Sequence, residues 1–129
     1  MKQINLGMAL AGFLLMSSNV YAESMPLTEQ NIQGSWVLDY TKRSEKTLET
    51  LTREDTWIFK NGKVTITHIP RNGSYYDQLP VNYELSESTL NIAILGRAGR
   101  FDKFTLINKD DKNMTLKAKY GDIYQFTKK

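Results

Sequence analysis

The side chains able to do chemistry in this chain are few, and their spacing argues against catalysis. There is one histidine and no cysteine among 129 residues. The absence of Cys removes thiol nucleophiles, Cys-ligated zinc, disulfides and lipid or haem attached through sulfur. His68 falls in phase with Val64 and Ile66, which marks the inward face or the end of a strand rather than a general base. A lone His with scattered carboxylates has no metal-ligand spacing. Glu54 and Asp55 stand beside Trp57 in imitation of an acidic pair that cleaves sugars, but consecutive residues on a strand face opposite ways. The run Gly96-Arg97-Ala98-Gly99-Arg100 has the glycines of a phosphate cradle without the Lys-Ser/Thr or the helix that completes a P-loop. No nucleophile elbow surrounds any Ser. The expectation is a chain that is not an enzyme, with no catalytic residue, no metal ligand and no cofactor.

What is left is recognition. Lys42, Arg43, Arg71, Arg97 and Arg100, with the adjacent Tyr75 and Tyr76, lie in polar or Gly-containing segments. Arg can fork onto a carboxylate or phosphate, and Tyr adds flat, rigid contact area. The formal net charge of +3 is too small for a nucleic-acid arm or a polybasic membrane patch. Exposed loops are also basic merely for solubility, so these seven residues become a site only if the fold gathers them.

The elements that must position them alternate with a period of two. Trp36, Leu38 and Tyr40 share a face, as do Trp57 and Phe59; Val64 and Ile66; Val81, Tyr83 and Leu85; Leu90, Ile92 and Ile94; Phe104 and Leu106; Met114, Leu116 and Ala118; and Tyr124 and Phe126. Residues two apart point to one side of a strand, whereas helical faces repeat every three or four. Asn61-Gly62, Ser86-Glu87-Ser88, Asp110-Asp111-Lys112 and Gly121-Asp122 are connections of the kind that close hairpins. Eight antiparallel strands in meander order, with no helix to cover a sheet face, predict an all-β, eight-stranded up-and-down barrel, since closure removes exposed edges. A two-sheet sandwich would need a longer crossover, which only Lys42 to Thr52 is long enough to supply. In that segment Leu48 and Leu51 with a Ser44 cap fit one helical turn, and the Thr content fits an extended chain equally. The interior set is Trp36, Leu38, Trp57, Phe59, Tyr83, Ile92, Phe104, Leu116, Tyr124 and Phe126. These large aromatics on short strands predict a barrel mostly filled by its own side chains.

Meander connections alternate between the two ends of a barrel. One end receives Lys42 to Thr52, Pro70 to Asp77, Gly96 to Arg100 and Gly121-Asp122, and the other receives the tight turns. Binding residues concentrate on long loops carried by a rigid scaffold, so the first rim, with all seven candidates, is the expected binding face.

The start of the chain reads as an export signal. Lys2 precedes the apolar stretch Ile4 to Met16, and Val20-Tyr21-Ala22 puts small residues where a signal peptidase cuts. The stretch is shorter than the roughly 18 to 20 apolar residues of a spanning helix. The expected organisation is a signal peptide over 1–22, cleaved after Ala22, a polar tail or single helical turn over 23–31, and one domain over 32–129. The expected home is the periplasm or outside the cell.

The run Ile32-Gln33-Gly34-Ser35-Trp36-Val37-Leu38 resembles the Gly-x-Trp opening strand of lipocalin-like (calycin) domains. Trp57 to Lys63, Val81 to Leu85 followed by Leu90 to Ile92, and Ile123 to Phe126 are similar to later strands of that family. The resemblance implies a barrel closed at one end by the Trp, and noncatalytic binding. It departs from typical lipocalins in its short length and in having neither a long C-terminal helix nor a disulfide. Three roles fit: a periplasmic binding protein whose basic and aromatic rim holds a small anionic amphiphile or a protein; an inhibitor or immunity protein blocking an exported envelope enzyme or toxin; and an accessory component of an envelope assembly. A barrel without a free edge is expected to be a monomer.

Overall fold

Alternation decides the architecture, because each strand has one apolar face to bury. The computed structural model describes residues 24–129; the expected signal peptide and its cleavage point lie outside the described residues. The strands in chain order are β1 (Gly34–Lys42), β2 (Leu51–Thr52), β3 (Thr56–Lys60), β4 (Lys63–Thr67), β5 (Ile69–Arg71), β6 (Ser74–Tyr76), β7 (Val81–Ser86), β8 (Thr89–Ala93), β9 (Phe101–Lys109), β10 (Asn113–Ala118) and β11 (Ile123–Lys128). One helical turn, α1 (Glu29–Ile32), precedes them. Around the sheet the order is β1-β3-β4-β7-β8-β9-β10-β11, and β11 pairs antiparallel with β1, from Ile123 against Lys42 to Lys128 against Trp36. That pairing closes an eight-stranded antiparallel barrel and excludes the sandwich. The eight barrel strands carry the eight alternating runs.

The glycine turns follow the rule for tight hairpins. Asn61 and Gly62 take φ of 53° and 76°, and Asn72 and Gly73 take 47° and 79°, the left-handed conformation that matches the twist of the flanking strands. The second of these turns joins β5 to β6, a hairpin inserted between β4 and β7 where a plain loop is expected. The alternation slips at His68, whose φ is 56°. The slip turns His68 out to solvent at the strand end and brings Ile69 into the buried position. Between Lys42 and Thr52 the chain makes a turn, with Thr47 N–H donating to the Ser44 carbonyl, and then pairs briefly with β1 as β2; no helix forms there.

The aromatic core fills the barrel from its tight-turn end to mid-height. Trp36, Leu38, Trp57, Phe59, Tyr83, Ile92, Phe104, Leu116 and Phe126 are all buried, and Tyr124 packs against them half-buried. Trp57 is the hub, with edge-on contacts to Phe126 at 4.9 Å, Phe104 at 5.5 Å and Tyr124 at 6.1 Å between ring centroids. Such pairs contribute about 0.5–1.5 kcal/mol each beyond the area they bury.

Segment 24–33 packs across the tight-turn end. The Thr28 hydroxyl caps α1 by accepting from Asn31 N–H, and the Asn31 side chain accepts from Thr28 N–H, a reciprocal box that satisfies two otherwise free donors. Leu27 and Ile32 join the core. The Tyr83 hydroxyl donates to Glu29 at 2.7 Å and accepts from Gln33 at 3.0 Å. Trp36 Nε1 donates to the Ile32 carbonyl, and the ammonium groups of Lys109 and Lys128 stand 4.9 and 4.8 Å from the Trp36 ring. As the Gly-x-Trp resemblance implies, Trp36 closes this end.

Candidate functional site

The other end is open. A cup of about 670 Å³ descends from the long-loop rim between β3, β4, β7, β8, β9 and β11. This corrects the expectation of a mostly filled interior. The large aromatics occupy the lower half, whereas Val81, Ile92 and Asp102 leave room above, where Asp77 to Leu79 and Ile94 and Leu95 of the long connections complete the wall. A space of that size is typical of small-molecule sites.

One wall of the cup is polar, and its residues come from the segment leading into β3. Arg53, Asp55, Trp57 and Phe59 alternate, so all four turn inward. Their backbone is held against β1: Arg53 N–H donates to the Asp39 carbonyl, and Leu38 N–H donates to the Asp55 carbonyl. Arg53 then forks onto Asp55, with Nε to Oδ1 at 3.0 Å and Nη2 to Oδ2 at 2.9 Å. The Asp55 side chain is 6% exposed and that of Arg53 29%. The Asp55 carboxylate, through this hydrogen-bonded fork, raises the proton affinity of the guanidinium further. On the far side of β1 lies Tyr124, whose phenol is pushed up by burial and then by the Asp122 charge.

The floor is apolar and aromatic, formed by Leu38, Trp57, Ile92 and Phe104. Trp57 Nε1 is the one buried side-chain polar atom without a hydrogen-bond partner among the described residues. Buried donors are nearly always paired, so this indole N–H lacks an acceptor at a residue that lines the cup. Asp102 pairs with Ile92 across β8 and β9 and so faces inward at the mouth. Asp77 accepts the His68 backbone N–H at 3.0 Å.

The seven residues expected at the rim do lie at this end, but they are not one cluster. Tyr76 lines the cup, and the Arg71 guanidinium sits 5.2 Å from its ring. Tyr75 stacks on His68 at 3.7 Å and its hydroxyl donates to Glu54 at 2.9 Å, which ties the β5–β6 hairpin to the chain before β3. Lys42 and Arg43 border a separate groove with Glu49 and Asp122. Arg97 borders a shallow groove beside Pro80, Asn82 and Phe101, and Arg100 is exposed in the same loop as Arg97. Sequence reasoning missed Arg53, and took up Asp55 only as a partner of Glu54. The signal was present, since both stand in phase with Trp57 and Phe59.

Two solved structures share this architecture. An uncharacterized protein from Bacteroides eggerthii superposes with a TM-score of 0.60 at 17% identity, over 75% of this chain and 98% of its own. A lipocalin-like protein from Bacteroides uniformis superposes with a TM-score of 0.60 at 16% identity, over 77% of this chain and 99% of its own. No protein-family model matches the sequence, and neither does any curated protein. With its closed eight-stranded antiparallel barrel, the chain has the fold of a lipocalin-like small β-barrel.

Proposed function

We propose that this protein is a noncatalytic binding protein of the periplasm that takes the apolar body of a small amphiphile into its cup. The observation that carries the reading is the cup itself, about 670 Å³ with an aromatic floor and one polar wall. That combination of apolar enclosure and a few convergent polar groups is the usual form of a ligand site. The unpaired Trp57 N–H supports it, because an acceptor on the ligand would complete it. The head of the ligand stays at the mouth, where Arg71, its guanidinium over the cup-lining Tyr76, faces an anionic group. Export rests on the Lys2 to Ala22 pattern, and the N-terminal sequence of the processed protein is its check.

The test is titration with a neutral, environment-sensitive probe, N-phenyl-1-naphthylamine, followed by probe emission and by quenching of tryptophan. One-to-one, saturable uptake is expected. Asp102→Trp places an indole at the exposed mouth without touching the core, so it should abolish uptake while leaving the melting temperature in place. Failure of the probe to bind, or undiminished uptake by the folded Asp102→Trp variant, would refute the cup as a ligand site.

A further inference from the structure

Nine large hydrophobic side chains are exposed among the described residues, and eight of them lie at the long-loop end; Ile107 is the exception. They come from all four connections. Leu48 and Leu51 belong to the first, the Tyr75–Leu79 stretch to the second, Leu95 and Phe101 to the third and Tyr120 to the fourth. Leu48 is 93% and Tyr120 86% exposed. Single exposed leucines need no explanation, but an apolar ring drawn from four separate loops does. Cations are interleaved with it: Arg71 lies over Tyr76, and Lys119 lies over Tyr120 at 5.4 Å. Leu79, Leu95 and Tyr76 belong both to this ring and to the cup wall, so these three join the rim to the cavity.

We propose that this rim docks on an anionic lipid surface, with the cup mouth facing the lipid. The proposal rests on the reading of the cup as an amphiphile site and supplies the route by which the amphiphile reaches it. A protein partner fits the geometry less well. The energetic centre of a protein interface is a packed, dry patch, whereas the centre of this ring is a void. Apolar and aromatic tips that enter the head-group layer, with Lys and Arg stems lying along them and their charges at the phosphates, suit a bilayer interface. The anionic preference follows from Lys42, Arg43, Arg71, Arg97, Arg100 and Lys119 standing on the same loops.

The experiment is co-sedimentation of the chain from residue 23, the form expected after export, with vesicles of phosphatidylcholine alone or with about one quarter phosphatidylglycerol. Association with the anionic vesicles is expected, weakening as salt is raised. Leu48→Ser with Leu95→Ser should weaken it about tenfold or more, because both side chains lose their transfer into the interface. Arg97→Ser with Arg100→Ser should weaken it only toward anionic vesicles. All four positions are exposed, and an unchanged melting temperature verifies the fold. No association with either vesicle, or undiminished association of the leucine variant, overturns the proposal. Probe uptake separates the two readings: a cup that fills in protein that ignores vesicles sinks docking alone, and leucine-dependent docking with a cup that never fills sinks the cup alone.

Discussion

Replacing Arg53 by Met isolates the inward ion pair. The Asp55 carboxylate has both oxygens on the Arg53 fork and is 6% exposed, so Arg53→Met strands a charge in the barrel wall. Breaking a buried pair in this way costs about 3–5 kcal/mol. Arg53 is 29% exposed and water reaches the pair from the cup, which places the expected loss near the lower end, about 3 kcal/mol. For a domain of this size that lowers the melting temperature by roughly 12–24 °C. Asp55→Leu alone leaves a guanidinium that still reaches water, at about 1–2 kcal/mol. The double variant has neither charge, and well-packed apolar replacements of ion pairs are often neutral, so it should lie within about 1 kcal/mol of the parent. Urea denaturation of the four proteins, followed by circular dichroism, gives a coupling energy of about 3 kcal/mol or more if this account is right. Additive losses, or a loss below about 1 kcal/mol for Arg53→Met, would show that the Asp55 carboxylate is solvated well enough to stand without its partner.

Two further predictions concern the closed end. Burial, followed by the hydrogen bond to Glu29, pushes the Tyr83 phenol up to about 12. An acid whose folded pKa is raised contributes stability that is fully present below its unfolded pKa of about 10 and is lost as pH rises toward the folded value. The denaturation midpoint should therefore fall between about pH 10 and pH 12, and Tyr83→Phe, which keeps the ring against Phe59, should flatten part of that slope. Leu27→Ala removes a side chain of the core cluster and should cost about 2–3 kcal/mol by urea denaturation; a loss under about 0.5 kcal/mol would mean that the segment before α1 lies on the barrel without supporting it.

The strands, their order and the end at which each connection falls were legible because period-two runs separated by short turns leave few alternatives. The interior set was legible for the same reason. The cup was not, because the apolar pattern gives the direction of each side chain and not the distance of the loops from the barrel axis. Arg53 escaped notice, and Asp55 was weighed only against Glu54 as an acidic pair, because both carry charge and the phase was followed only along apolar residues. The β5–β6 hairpin was hidden by His68, whose positive φ shifts the phase by one residue, and by Pro70, which is confined to edge positions in sheets. Sequence order puts the rim residues on connections at one end, but it cannot say that Tyr76 reaches the cup while Lys42 and Arg43 border another groove.

The seams between strands are unequal, and the inequality sets where the barrel yields. Seven of the eight seams carry four to six residue pairs, whereas β4 and β7 share two, Lys63 with Asn82 and Val64 with Val81. A ring under outward pressure parts at its thinnest joint, and this joint runs up to the cup beside the β5–β6 hairpin. A ligand bulky enough to widen the cup should therefore strain this seam first, where the bonds from Tyr83 N–H to the Gly62 carbonyl and from Gln78 N–H to the Ile66 carbonyl flank the two pairs.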